Sequence, residues 1–118
     1  MNGAVTIIPF EPSLAPHFSR LNKAWIQKYF VLEPQDEPVL ADPQINIIDK
    51  GGLVLFAQYD NAIAGTVALQ YLDDTTFELT KMAVDEAYQG LKIGQMLLQA
   101  AITQAKGLGA QKLVLYSN

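Results

Sequence analysis

The stretch FELTKMAVDEAYQGLKIGQMLL, residues 77–98, decides the fold of this chain. Its first part, which ends at Val84, is rich in residues that favour strands and is preceded by polar turn residues. From residue 93 onward, apolar residues recur at steps of three and four, which predicts an amphipathic helix that Gly107 and Gly109 terminate. Gly90 and Gly94 lie where the strand gives way to the helix. The stretch therefore predicts a strand, a glycine-containing loop and a helix in direct succession.

This loop has the chemistry of an anion site. The first N–H groups of a helix have no partners within the helix and carry partial positive charge, and glycines allow a phosphate to approach them closely. Lys92 adds a mobile cation to the loop. A pyrophosphate could therefore bind at this loop. The alternative is that the two glycines merely shape a tight strand-to-helix turn, since short glycine patterns also arise by chance.

The segments on either side of the loop complete a mixed sheet. Residues 53–59, 62–72 and 75–84 predict three antiparallel strands joined by polar turns. A strand at residues 112–116 follows the long helix, so we expect it to lie parallel to the strand that ends at Val84.

The N-terminal half adds one strand and two helices. Residues 4–9 predict the strand, and a helix follows Ser13, a plausible N-cap. A short second helix is expected around residues 39–48. The whole order is β-α-α-β-β-β-α-β, an α/β (α+β) fold with a mostly antiparallel sheet flanked by helices.

Length and composition restrict the classes of function. With 118 residues and 50% apolar residues, the chain should form a single domain over residues 1–118. Its 8 Lys+Arg and 12 Asp+Glu give a net charge of −4, which opposes binding to nucleic acid or to an anionic membrane. No cysteine and only one histidine exclude thiolate and multi-histidine metal sites. No run approaches the roughly 18 apolar residues of a membrane span, and no signal peptide is evident, so we expect a cytoplasmic protein.

The order of elements and the loop sequence together resemble the GNAT superfamily of N-acyltransferases. Residues 89–94 (QGLKIG) match the family pattern [Gln/Arg]-x-x-Gly-x-[Gly/Ala], with Lys92 at the position of the inner glycine. The segments 78–84, 97–102 and 113–118 are also similar to the family. Residues 21–43 resemble a bacterial subgroup that is sometimes fused to winged-helix regulators.

The resemblance implies an N-acetyltransferase that moves acetyl from acetyl-CoA to a primary amine of a small molecule, an amino acid or a peptide by direct attack. It implies acetyl-CoA as co-substrate and no metal. The residues implied to bind acetyl-CoA come from the strand end, the glycine loop and the C-terminus. They are Met82, Ala83, Val84, Gln89, Gly90, Leu91, Lys92, Ile93, Gly94, Gln95 and Asn118.

Glu78 matches the position at which many members of the family place the general base. Strand alternation puts Glu78 on one face with Thr80, Met82 and Val84, which would partly desolvate its carboxylate and raise its pKa. The alternative interpretation is an ordinary strand residue, exposed to solvent or paired with Lys81.

The resemblance also implies that the family's domain continues past Asn118 with another helix and a β-hairpin, which this chain lacks. We therefore expect a C-terminally incomplete domain. Its uncovered strand at residues 112–116 should make it self-associate or take the missing elements from a partner or a cleaved fragment. A non-catalytic acyl-CoA-binding module and an interaction domain remain alternatives to an active transferase.

Overall fold

The chain folds around one five-stranded sheet in a computed structural model that describes residues 4–29, 31 and 33–115. The strands are β1 (Val5–Pro9), β2 (Leu53–Tyr59), β3 (Ala62–Asp73), β4 (Thr76–Val84) and β5 (Lys112–Leu115). They are ordered β1-β2-β3-β4-β5 across the sheet. Neighbours from β1 to β4 are antiparallel, and β5 is parallel to β4. The predicted α/β architecture with a mostly antiparallel sheet is confirmed.

In the described ranges, three α-helices flank this sheet: α1 (Ala15–Tyr29), α2 (Asp36–Ala41) and α3 (Ile93–Gly107). A 3-10 turn at Pro12–Leu14 leads into α1, so Ser13 lies inside that turn and is not an N-cap. The second helix starts three residues earlier than predicted, because Pro38 is tolerated in the first turn of a helix. Its expected C-terminal part is a separate π-helical turn at Gln44–Ile48.

The sheet buries a core on each face. On one face α3 covers a cluster that includes Leu55, Val67, Leu69 and Phe77. On the other face α1, α2 and the π-helical turn cover Phe56, Ala68 and Ala83 together with their own apolar residues. The two faces therefore bring different helices to β4, with α3 on one side and α1 and α2 on the other.

Gly65 lets α3 approach the sheet closely. A Cβ atom at this position would lie 3.0 Å from Cδ1 of Leu97 and 3.1 Å from Cγ2 of Ile93. Gly65 also pairs with Val84 across β3 and β4. The first turns of α3 are thus held against the end of β4, as the strand–loop–helix pattern requires.

A β-bulge at Thr80 changes the facing of β4. Ala68 pairs with Lys81 and the next residue, Leu69, pairs with Leu79, so Thr80 is left over. The simple alternation predicted from the sequence is therefore wrong beyond Leu79. The residues on the α3 side are Phe77, Leu79, Met82 and Val84, whereas Glu78, Lys81 and Ala83 lie on the side of α1 and α2.

Candidate functional site

A cleft of about 300 Å³ lies along the part of β4 that has no neighbouring strand, among the described residues, on the side of β5. The pairing of β4 with β5 extends only from Thr76 to Leu79. Within the described ranges, no strand pairs with the later residues of β4 on this side. The cleft lies along Met82, Ala83 and Val84 and continues to the N-terminus of α3.

The loop between β4 and α3 forms one end of this cleft. After β4, Glu86–Tyr88 form a 3-10 turn. Gly90 follows with φ +88° and Lys92 with φ +62°, both in the left-handed region. A Cβ atom on Gly90 would meet no atom of the described residues within 4 Å, and one on Gly94 would meet only Cγ2 of Val84, at 3.9 Å. The glycines therefore leave open space beside the start of α3.

The electrostatics of this end favour an anion. The helix α3 has 15 residues, and its N-cap, Lys92, forms no side-chain cap hydrogen bond. The first N–H groups of α3 are consequently left for a ligand or solvent. Lys92 is the only charged residue among the described residues that line the cleft. Space, amide donors and a cation together fit a pyrophosphate group.

Most residues expected to bind the cofactor do line this cleft. Leu91 is the exception among the described residues: it is 43% exposed and does not line the cleft. Asn118 lies outside the described residues. The residues that are brought together are Met82, Ala83, Val84, Gln89, Gly90, Lys92, Ile93, Gly94 and Gln95.

Two aromatic residues of the cleft were not predicted from the sequence. Trp25 reaches it from α1, and Tyr88 reaches it from the 3-10 turn. Trp25 follows the apolar spacing of α1, a pattern that favours core packing and does not indicate a position beside β4. Tyr88 packs against Tyr59, with ring centroids 5.5 Å apart. The one signal in the sequence for Tyr88 is its position directly before Gln89, a residue expected to bind the cofactor.

Glu78 lies outside the cleft, within the paired part of β4. It is half-buried and pairs with Gln70 on β3 and with Val114 on β5. The bulge at Thr80 turns Glu78 away from the side of Met82 and Val84. The predicted desolvation of Glu78 by these two residues is therefore wrong.

Lys81 pairs with α2 and not with Glu78. Its Nζ lies 3.0 Å from Oδ1 of Asp36, and both side chains are 18% exposed. Burial alone would raise the pKa of Asp36, but hydrogen bonds from the Glu33 amide and from Lys81, together with the charge of Lys81, lower it below its ordinary value. Asp36 therefore carries the negative charge of this pair.

Neither a metal cluster nor a membrane span is found in the part of the chain that the structure describes. No three acidic, histidine or cysteine side chains lie close enough together there to hold a metal ion. No helix among the same residues has the length and apolar character needed to cross a bilayer.

Similar proteins point to one family. The pattern of the Acetyltransferase (GNAT) family matches residues 18–118. A GNAT-family acetyltransferase from Staphylococcus aureus Mu50 is 27% identical, with a TM-score of 0.86 over 97% of this chain and 73% of that one. A GNAT-family acetyltransferase from Brucella melitensis in complex with acetyl-CoA is 23% identical, with a TM-score of 0.81 over 98% of this chain and 77% of that one. No curated protein matches the chain.

The extent of these matches settles the family. The family pattern covers most of the chain, including the loop and both flanking elements. The solved relatives place the same sheet and helices in the same arrangement. The chain belongs to the GNAT family of acetyltransferases, whose members in general transfer acetyl from acetyl-CoA.

Proposed function

We propose that this chain transfers acetyl from acetyl-CoA to a primary amine of a small molecule, an amino acid or a peptide by direct attack of the amine. The observation that carries the proposal is the cleft along Met82–Val84, where no strand of the described residues pairs with β4 on the side of β5. It ends at the N-terminus of α3 beside Lys92, which is the environment that the anionic part of the cofactor requires.

The cleft offers distinct groups to the two parts of the cofactor. The first amides of α3 and the Lys92 ammonium would hold the pyrophosphate. The backbone groups of Met82 and Val84, which no strand of the described residues occupies on the cleft side, would hydrogen-bond the pantetheine arm as an added strand would. Bound acetyl-CoA supplies the thioester acyl group.

Glu78 is the proposed general base. A primary ammonium has an ordinary pKa of about 10.4, so the acceptor must lose a proton before it can attack. Glu78 lies before the bulge on the side of α1 and α2, and Lys81 on that side is already engaged by Asp36. Because Glu78 does not line the cleft, we propose that it accepts the proton through intervening water.

Turnover on a panel of primary amines tests the proposal. We expect release of free CoA thiol that requires both acetyl-CoA and an amine, together with an upward shift of the melting temperature in CoA. A ligand at 100 times its Kd that binds only the native state adds about 2.7 kcal/mol to the stability. Stabilisation by CoA without turnover on any amine would instead support a non-catalytic acyl-CoA-binding module. Membership of an acetyltransferase family does not favour that alternative.

We propose separately that the protein is cytoplasmic and that it self-associates. β5 is the outermost strand on its side of the sheet among the described residues, and Leu115 on it is 62% exposed. Such an edge can pair with a second chain. Light scattering on protein of verified mass should show a dimer or a larger assembly, and a monomer at high concentration would contradict this.

A further inference from the structure

The geometry points to a positioning role for two residues outside the cleft: Asp85 and Arg20 together hold the loop between β4 and α3 in the conformation that binds the cofactor. This inference rests on the proposed function, because the loop is the proposed pyrophosphate site. Asp85 directly follows β4, and Arg20 lies on α1.

Asp85 connects three parts of the molecule. Its amide donates to the Ala64 carbonyl at 2.8 Å, which fixes the residue to β3. Its Oδ1 accepts from the Ala87 amide at 3.0 Å, which caps the 3-10 turn. Its Oδ2 lies 3.4 Å from Nη1 of Arg20. Asp85 thus connects the end of β4 to β3 through its backbone, and to the loop and α1 through its carboxylate.

Arg20 ties the same point to α1 and β3. Its Nη2 lies 3.4 Å from the Ile63 carbonyl oxygen, next to the carbonyl that Asp85 uses. The same Nη2 lies 3.0 Å from Nδ1 of His17. Burial and, secondarily, the charge of Arg20 lower the pKa of His17, so the neutral ring can accept from Arg20. The guanidinium is therefore held from three directions.

A cavity of about 350 Å³ lies between α1 and the start of the loop, with Leu21, Ala24 and Val84 among its lining residues. Apolar side chains therefore do not fill the space between the helix and this part of the loop. The residues after Asp85 in the loop are mostly exposed, apart from Tyr88. Polar contacts from α1 are therefore in a position to restrain the loop.

Lys28 and Glu86 form a second ion pair between α1 and the loop, and this pair is the natural control. Its side chains are 50% and 60% exposed, compared with 48% and 31% for Arg20 and Asp85. Only the Asp85 carboxylate also accepts from the loop backbone. An exposed pair without that link should contribute little.

The test compares Asp85→Ala with Glu86→Ala in the full 118-residue protein. Asp85→Ala should raise the Kd for CoA about tenfold, since a charged hydrogen-bond acceptor is lost, whereas Glu86→Ala should raise it less than about twofold. Asp85→Asn retains an oxygen for the Ala87 amide and should restore part of the affinity. Arg20→Gln alone should weaken CoA binding. The double variant Arg20→Gln/Asp85→Ala should bind CoA no more weakly than Asp85→Ala alone.

Hydrogen exchange without CoA provides the second readout. Asp85→Ala should speed exchange of the amides at residues 87–95, and Glu86→Ala should not. Equal CoA affinity in wild type and Asp85→Ala, or unchanged exchange in the loop, would overturn the positioning role. If the wild type fails to bind CoA at all, the proposed function fails, and the exchange comparison still decides whether Asp85 positions the loop.

Discussion

Lys81 on β4 pairs with Asp36 at the start of α2, with 3.0 Å between Nζ and Oδ1, although Lys81 shares a face of the strand with Glu78. The bulge at Thr80 produces this arrangement, because it rotates Lys81 from the α3 side to the α2 side. The pair joins α2 to the strand that carries the proposed base. The positive charge of Lys81 is therefore compensated by Asp36 and not by Glu78.

Replacing Glu78 with Gln should lower the rate of acetyl transfer about 10²- to 10⁴-fold at neutral pH, because an amide cannot accept the proton of the acceptor ammonium. CoA affinity should stay unchanged, since Glu78 does not line the cleft. Steady-state rates on an accepted amine and calorimetry with CoA provide the two values. Glu11→Gln, a change at an exposed residue before α1, is the control. A variant that keeps the wild-type rate and pH profile would assign Glu78 a structural role.

The Asp36–Lys81 pair should make stability depend on pH in acid. The pKa of Asp36 is lower in the folded state than its ordinary value of 3.8. Its contribution to the stability of the fold is therefore fully present above pH 3.8 and is lost as the pH falls through the pKa of the folded state. Asp36→Asn should therefore be less stable than the wild type at neutral pH, and the difference should shrink below pH 3.8. Urea denaturation across this range measures it. A difference that does not change with pH would contradict the assignment.

Much of the fold could be predicted because it depends on local patterns. The alternating strands, the polar turns and the apolar stripe of α3 all lie within short windows of sequence. The bulge at Thr80 could not be predicted, since it depends on how β4 pairs with β3, and the sequence FELTKMAV alternates plausibly without it. The loop residues of the cleft lie within the short motif that carries the family resemblance, so the resemblance could point to them, whereas Trp25 reaches the cleft from a distant helix.

Replacing Lys92 with Gly should change stability and affinity in opposite directions. Lys92 adopts φ +62°, and a side chain in the left-handed region costs about 1 kcal/mol. Glycine removes this cost, so the free energy of unfolding should rise by up to about 1 kcal/mol, less the entropy that glycine adds to the unfolded chain. CoA should bind roughly fivefold more weakly and with a smaller dependence on salt, because one cation is lost.

Asp60→Gly is the matched control for Lys92→Gly. Asp60 also has a positive φ, of +53°, but it lies in the turn between β2 and β3. Its replacement should affect stability in the same way and leave CoA affinity unchanged. If Lys92→Gly bound CoA as tightly as the wild type at low salt, Lys92 would have no part in the site.

Replacing Gly94 with Glu should weaken CoA binding far more than folding. Among the described residues only Val84 lies near the added Cβ, at 3.9 Å, so the fold can accept the side chain. Its charge, however, would lie where the pyrophosphate meets α3. Gly107→Glu places the same side chain at the other end of α3, where a Cβ would meet no atom of the described residues within 4 Å. Calorimetry should show a large loss of affinity for the first variant alone. Equal losses of CoA affinity in both variants would show that the cofactor does not bind at the N-terminus of α3.

Amide chemical shifts during a titration of the ¹⁵N-labelled protein with CoA test the central claim most directly, because they show both whether and where the cofactor binds. We expect the largest changes at residues 82–84, 89–90 and 92–95 and at the indole N–H of Trp25, which line the cleft beside β4. Glu11, on the connection between β1 and α1, should not shift. Saturating CoA that leaves these cleft signals unchanged, or that shifts residues on another surface instead, would contradict the account.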